Sequence, residues 1–140
     1  MNERLMEEVR GKVRRYLHEI AEEFWEVDGI FMLRYGSASI GVEVLPWHKE
    51  DVLVRVFSYL AEDVNVDEDL ARILLDLNAR FPLGAFALGI NGSVLFRYSL
   101  AGANLDLNEL AAAVYTVAVV ADAYDDFVRT YREVGSLSVD

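Results

Sequence analysis

Leu83–Leu100 reads LGAFALGINGSVLFRYSL, two apolar runs on either side of Asn91-Gly92. That dipeptide suits a type I′ turn, whose two central residues both need positive φ and whose twist matches a hairpin. With a two-residue loop, Leu88 stands against Leu95, Phe86 against Arg97 and Ile90 against Ser93. Ala87 then meets Phe96, Ala85 meets Tyr98 and Gly89 meets Val94. One side pairs small residues with large ones, as a tightly covered sheet does. The other side is mostly apolar yet carries an arginine, and it poses the functional question of the chain.

On the N-terminal side of this hairpin, Asp67 is placed to cap a helix from Glu68 to about Arg80, with acids in its first turn. Leu70, Ile73, Leu74 and Leu77 form its buried stripe, and Pro82 forces an exit. Ile30–Tyr35 and Ala38–Leu45 read as a hairpin about Gly36-Ser37, a Gly-first turn of the II′ kind. Pro46 should end the second strand, since it cannot donate to a ladder. A polar connection, Trp47 to Asp51, leads to a third strand from Val52 to Leu60. The first helix, capped by Asn2, is expected to run to about Val27, because Met6, Val9, Val13, Tyr16, Leu17, Ile20, Phe24 and Val27 recur at helical spacing. Asp28-Gly29 then stops it.

On the C-terminal side, Asp106 and Glu109 stand at capping-box spacing and open a last helix, expected to reach about Val134. Its first half, LAAAVYTVAVVA, is apolar nearly all round, so more than one neighbour should cover it. Residues Gly135 to Asp140 read as a loose tail. The result is one α+β domain, a two-layer α/β arrangement with a five-stranded, mainly antiparallel sheet in the order α-β-β-β-α-β-β-α.

Composition narrows the function. A chain of 140 residues, 54% hydrophobic, buries a real core and is not disordered. A net charge of −11 argues against general binding to nucleic acid or to an anionic membrane. There is no cysteine, which excludes disulfides and thiolate chemistry and fits a cytoplasmic protein. The N-terminus is charged throughout, unlike a signal peptide, and the longest apolar run, Leu110 to Ala121, is too short to span a bilayer.

Catalytic and ligand signatures are absent. The two histidines, His18 and His48, lie on different elements, and a zinc site needs more nitrogen or sulfur ligands. No G-x-S-x-G elbow occurs. Asp122, Asp125 and Asp126 read as a solvated helix face, and Asp63, Asp67, Glu68 and Asp69 do not fit a calcium loop. Gly84, Gly89 and Gly92 sit inside the hairpin rather than before a helix, so no phosphate loop is present. No enzyme activity, cofactor or metal is expected.

Strand alternation supplies the candidate site. If Phe31, Leu33, Tyr35, Ile40, Val42, Val54, Val56, Phe96 and Tyr98 face the helices, the outer face presents Ile30, Met32, Arg34, Leu53, Arg55, Phe57, Tyr59, Phe86, Leu88, Leu95 and Arg97. A wet sheet face normally alternates apolar with polar, and this one hardly does. Arginine and aromatic residues are the types enriched where proteins bind proteins. The partner or dimer surface is therefore expected at Met32, Arg34, Arg55, Phe57, Tyr59, Phe86, Leu88, Leu95 and Arg97. The first helix, a second copy of the chain or another protein are the three possible covers.

The segment from Leu74 to Tyr131 resembles the YbjN-like family, described as bacterial sensory transduction regulators, which is similar in turn to type III secretion chaperones of the CesT/Tir type. The resemblance rests on Leu74-Leu75-Asp76-Leu77-Asn78, on Gly84-Ala85-Phe86, on the Asn-Gly turn, on the Leu-Asp-Leu-x-Glu-Leu helix start and on Ala121-Asp122-x-Tyr124-Asp125. The first half matches by element order. The ending departs, with Val134-Gly135-Ser136 where the family carries a Gly-Gly pair. The resemblance implies a chaperone fold and a non-enzymatic, often dimeric protein that holds extended, partly unfolded peptide segments. The alternative is a regulatory homodimer whose apolar face serves only self-association. No individual binding residue carries over from the family.

Overall fold

The computed structural model describes the backbone of residues 2–139 and the side chains of residues 2–131. Asn2 caps the first helix, α1 (Glu3–Ile20), by accepting from the Leu5 N–H. The helix stops at Ala21, seven residues short of the Asp28 stop expected from the sequence, because Ala21 turns extended at φ −120°, ψ 145°. The chain then forms a strand that the sequence reading missed, β1 (Trp25–Val27), followed by β2 (Ile30–Tyr35), β3 (Ala38–His48) and β4 (Asp51–Ala61). After α2 (Glu68–Arg80) come β5 (Ala85–Leu88), β6 (Val94–Ala101) and α3 (Leu107–Val139).

The sheet thus has six strands rather than five, in the order β1-β2-β3-β4-β6-β5, and every neighbouring pair is antiparallel. Asp28-Gly29, expected to end a helix, is the loop of the β1–β2 hairpin. Both residues take positive φ, 51° and 80°, as a type I′ turn requires. Trp25 and Val27 are thereby drawn into the sheet opposite Met32 and Ile30. The Gly36-Ser37 turn forms as expected, with Tyr35 opposite Ala38. Strand β3 runs through Pro46 to His48, past the expected stop, by way of a bulge between those two residues.

Asp67 caps α2 on the Leu70 N–H at 2.8 Å. Asp106 and Glu109 exchange the two capping-box bonds of α3, at 2.7 and 2.9 Å. That helix continues to Val139 instead of stopping at Val134 before a loose tail. Asp140 lies outside the described residues.

All three helices lie on one face of the sheet. Val9, Val13 and Leu17 of α1, Leu70 and Leu74 of α2, and Leu110, Ala113, Val114 and Val117 of α3 share a single core. The strands meet them with Phe31, Leu33, Ile40, Val42, Val44, Val52, Val54, Val56 and Phe96. β-branched residues at every second position of β4 pack well on a pleated surface, which explains the run Val52, Val54, Val56. The hairpin tip at Ser37 is tied to α3, its hydroxyl lying 2.9 Å from an Asp122 oxygen and 2.6 Å from an Asp125 oxygen.

Candidate functional site

Among the described residues, no helix covers the opposite face of the sheet. Registers of the five strand pairs place one continuous row across it: Trp25, Met32, Gly41, Phe57, Arg97 and Ala85. Gly41 is required there, since an added Cβ would run into the ring of Phe57. The ring therefore lies over the Gly41 backbone, half-buried, with its edge toward Tyr59 at 5.9 Å between centroids. A second row holds Glu43, Arg55 and Ser99, and a third holds Tyr59, Leu95 and Ala87. Leu45 and Leu53 extend the apolar surface toward the end of the sheet.

The polar groups on this face are sparsely satisfied. Arg55 reaches Glu43 only at 3.9 Å, and its Nε is buried with no acceptor among the described residues. Arg34 has Ser39 as a 3.4 Å partner. Among the described residues neither Arg34 nor Arg97 forms an ion pair. Tyr59 is 54% exposed, whereas Leu95 beside it is nearly sealed.

Seven of the nine residues expected at the partner surface stand on this face: Met32, Arg34, Arg55, Phe57, Tyr59, Leu95 and Arg97. Phe86 and Leu88 do not, and this corrects the sequence reading. Phe86 is opposite Phe96 and Leu88 opposite Val94, one residue out of the expected register. A slip of one residue turns a whole strand over. The loop is residues 89–93 rather than Asn91-Gly92 alone. Asn91 and Gly92 do take positive φ, 60° and 71°, but inside a wider turn. The Gly92 carbonyl accepts from the Val64 N–H at 2.9 Å, so a distant connection sets the loop length. Phe86 is buried among Phe81, Phe96 and Tyr124 at 5.1–5.9 Å. Ala85 and Ala87 take the outer positions instead.

Trp25 was the residue missed at the site. Its signal was Asp28-Gly29, a dipeptide that marks hairpins as well as helix ends. Among the described residues, no group of three or more His, Asp or Glu is placed to hold a metal ion, and no helix is long and apolar enough to cross a membrane.

This architecture has known counterparts. A chain in the crystal structure of the ExsC–ExsE complex is similar at a TM-score of 0.61 and 16% identity, covering 89% of this chain and 96% of that one. YbjN from E. coli is similar at a TM-score of 0.59 and 14% identity, covering 84% and 91%. Identities this low establish the shared fold. No curated protein matches the chain. The family model TY-Chap1, described as T3SS (YopN, CesT) and YbjN peptide-binding chaperone 1, matches residues 3–132. Spanning nearly the whole chain, that match makes this protein a member of the TY-Chap1 family of peptide-binding chaperones.

Proposed function

We propose that the chain is a non-enzymatic chaperone or adaptor that holds extended segments of a partner protein against the open face of its sheet. The observation that carries this reading is the uncovered row of Trp25, Met32, Phe57 and Arg97 on a sheet whose helices all lie on the other side. Apolar side chains set among arginines at such a surface fit protein binding. An acidic, cysteine-free composition suits the cytoplasm and disfavours nucleic acid and anionic lipid as ligands.

Paired substitutions test the reading. Phe57→Asp should leave the circular dichroism and melting of the protein close to wild type while abolishing capture of unfolded peptide. Val54→Asp, on the helix-facing side of the same strand and fully buried, should prevent folding. Unchanged peptide capture by folded Phe57→Asp would refute the reading.

Self-association is the second reading, in which two copies meet at the apolar edge of the sheet beside α2, away from the open face. Leu75 and Leu88 favour it, since they line a cleft of about 280 Å³ between α2 and the edge strand β5 and are both well exposed. Light scattering separates the two readings. A dimer lost by Leu88→Glu, with no ligand lost, supports the second.

A further inference from the structure

The chain carries a net charge of −11, so an arbitrary patch of its surface is expected to be acidic. The open sheet face is the reverse. Arg34, Arg55 and Arg97 stand on β2, β4 and β6, and Glu43 is the acid among them. Glu43 and Arg55 meet only at 3.9 Å, too long for a close ion pair. Asp51, at the start of β4, directs its carboxylate to the backbone N–H groups of Gly102 and Ala103. Glu62 and Asp63 lie past Tyr59 at the end of β4, where they line a cleft with Tyr59, Ile90, Asn91 and Ser93. Elsewhere several arginines are matched at close range: Arg14 with Glu26, Arg72 with Glu68 and Arg80 with Asp76 each approach to 3.0 Å. Among the described residues, the three arginines of the sheet face have no close acid partner, and Arg15 on α1 is likewise unpaired.

Two of the three on the sheet flank Phe57. Along β4, Arg55 is two residues from Phe57, and across the sheet Arg97 is the direct neighbour of Phe57. Side chains on one side of an extended chain recur about every 6.6–7 Å, and neighbouring strands lie about 4.8 Å apart. An extended ligand laid over this face meets cationic and apolar positions in turn.

Resting on the reading of this face as a peptide site, we infer that its ligand is an extended segment whose sheet-facing side chains, every second residue, include Asp or Glu among apolar or aromatic groups. The arginines receive the carboxylates, while Phe57, Met32 and Trp25 receive the apolar groups. Arginine suits this role because its planar fork can bond both oxygens of a carboxylate. The acidic remainder of the protein acts differently. Beyond roughly 8 Å its field is screened, so isolated carboxylates on a peptide feel mainly the local arginines, whereas a dense polyanion is repelled.

The test uses three labelled peptides of about twelve residues, long enough to cross the sheet. On one side of the extended chain, every second residue, all carry Val or Phe at alternate places, the places between them on that same side are Glu, Gln or Lys, and the other side is Ser and Thr. Fluorescence anisotropy should rank them Glu, Gln, Lys in falling affinity. The span from first to last should be about tenfold at low salt, as expected of a few exposed pairs, and should shrink at high salt. The double variant Arg34→Glu/Arg97→Glu alters two exposed residues, so the fold should survive, and it should reverse the ranking. Equal binding of all three peptides, lost in Phe57→Asp, overturns the acidic preference while leaving the peptide site standing. Binding of none of them, or binding indifferent to Phe57→Asp, overturns both. Tighter binding of a thymidine oligonucleotide than of the Glu peptide also overturns it.

Discussion

Asn78 occupies both main-chain hydrogen-bonding groups of Phe86. Its amide nitrogen donates to the Phe86 carbonyl at 3.1 Å, and its oxygen accepts from the Phe86 N–H at 2.7 Å. A side chain at the end of α2 thus stands where another strand would pair with the sheet edge β5, an unpaired template that native proteins commonly block. The same two bonds fix the path from α2 into β5 and help to bury the Phe86 ring against Phe96.

Asn78→Ala removes both bonds and leaves two part-buried main-chain groups without partners. A loss of about 2–3 kcal/mol is expected in denaturant unfolding. The freed edge should also make the variant more prone to associate, detectable as a rise in scattering with concentration.

Gly41 sets the pose of Phe57. Gly41→Ala forces the ring away from the sheet, because the new methyl group claims the space it occupies. Overpacking of this kind typically costs about 1–3 kcal/mol. Here the half-exposed ring can swing outward, so the lower end is expected. Peptide affinity should fall more than stability does, which a parallel melt and titration would show.

Two carboxylates couple stability to acid pH. Burial alone would push the Asp51 carboxyl up, but N–H donors from Ala103, Val52 and Gly102, helped by the charge of His48, outweigh it and hold the group below 3.8. Asp122 is held below the same value by the Ser37 N–H and hydroxyl, against a smaller opposing effect of burial. A carboxyl whose folded pKa is depressed contributes stability above its unfolded pKa and loses it as pH falls through the folded value. Melting temperature should therefore hold steady above about pH 5 and drop below pH 3.8. Asp51→Asn and Asp122→Asn should melt lower at neutral pH and show a shallower acid drop.

Much of this molecule was readable in its residues. Capping pairs placed α2 and the start of α3 closely, and period-two alternation sorted β2, β3, β4 and β6 onto the right faces. The failures share a cause, because one short signal served two structures. Asp28-Gly29 fits a helix stop or a type I′ hairpin, and Phe24 and Val27 happen to continue the apolar stripe of α1. Only pairing with β2 chooses between them, and that contact is tertiary. Asn91-Gly92 supplied the positive φ values expected of it, but Val64 and Asn78 decide the length of the loop and hence which way Phe86 points. Both lie outside the hairpin, so no reading of the hairpin alone could place Phe86 and Leu88.

Methyl NMR during titration with an unstructured peptide of alternating apolar residues addresses the open face most directly. Signals of Met32, Leu53 and Leu95 should shift in proportion to binding, while those of Val42, Val54 and Val56 beneath the helices stay in place. Shifts confined to the helix-side methyls, with Met32, Leu53 and Leu95 unmoved, would contradict a docking surface on the bare side of the sheet.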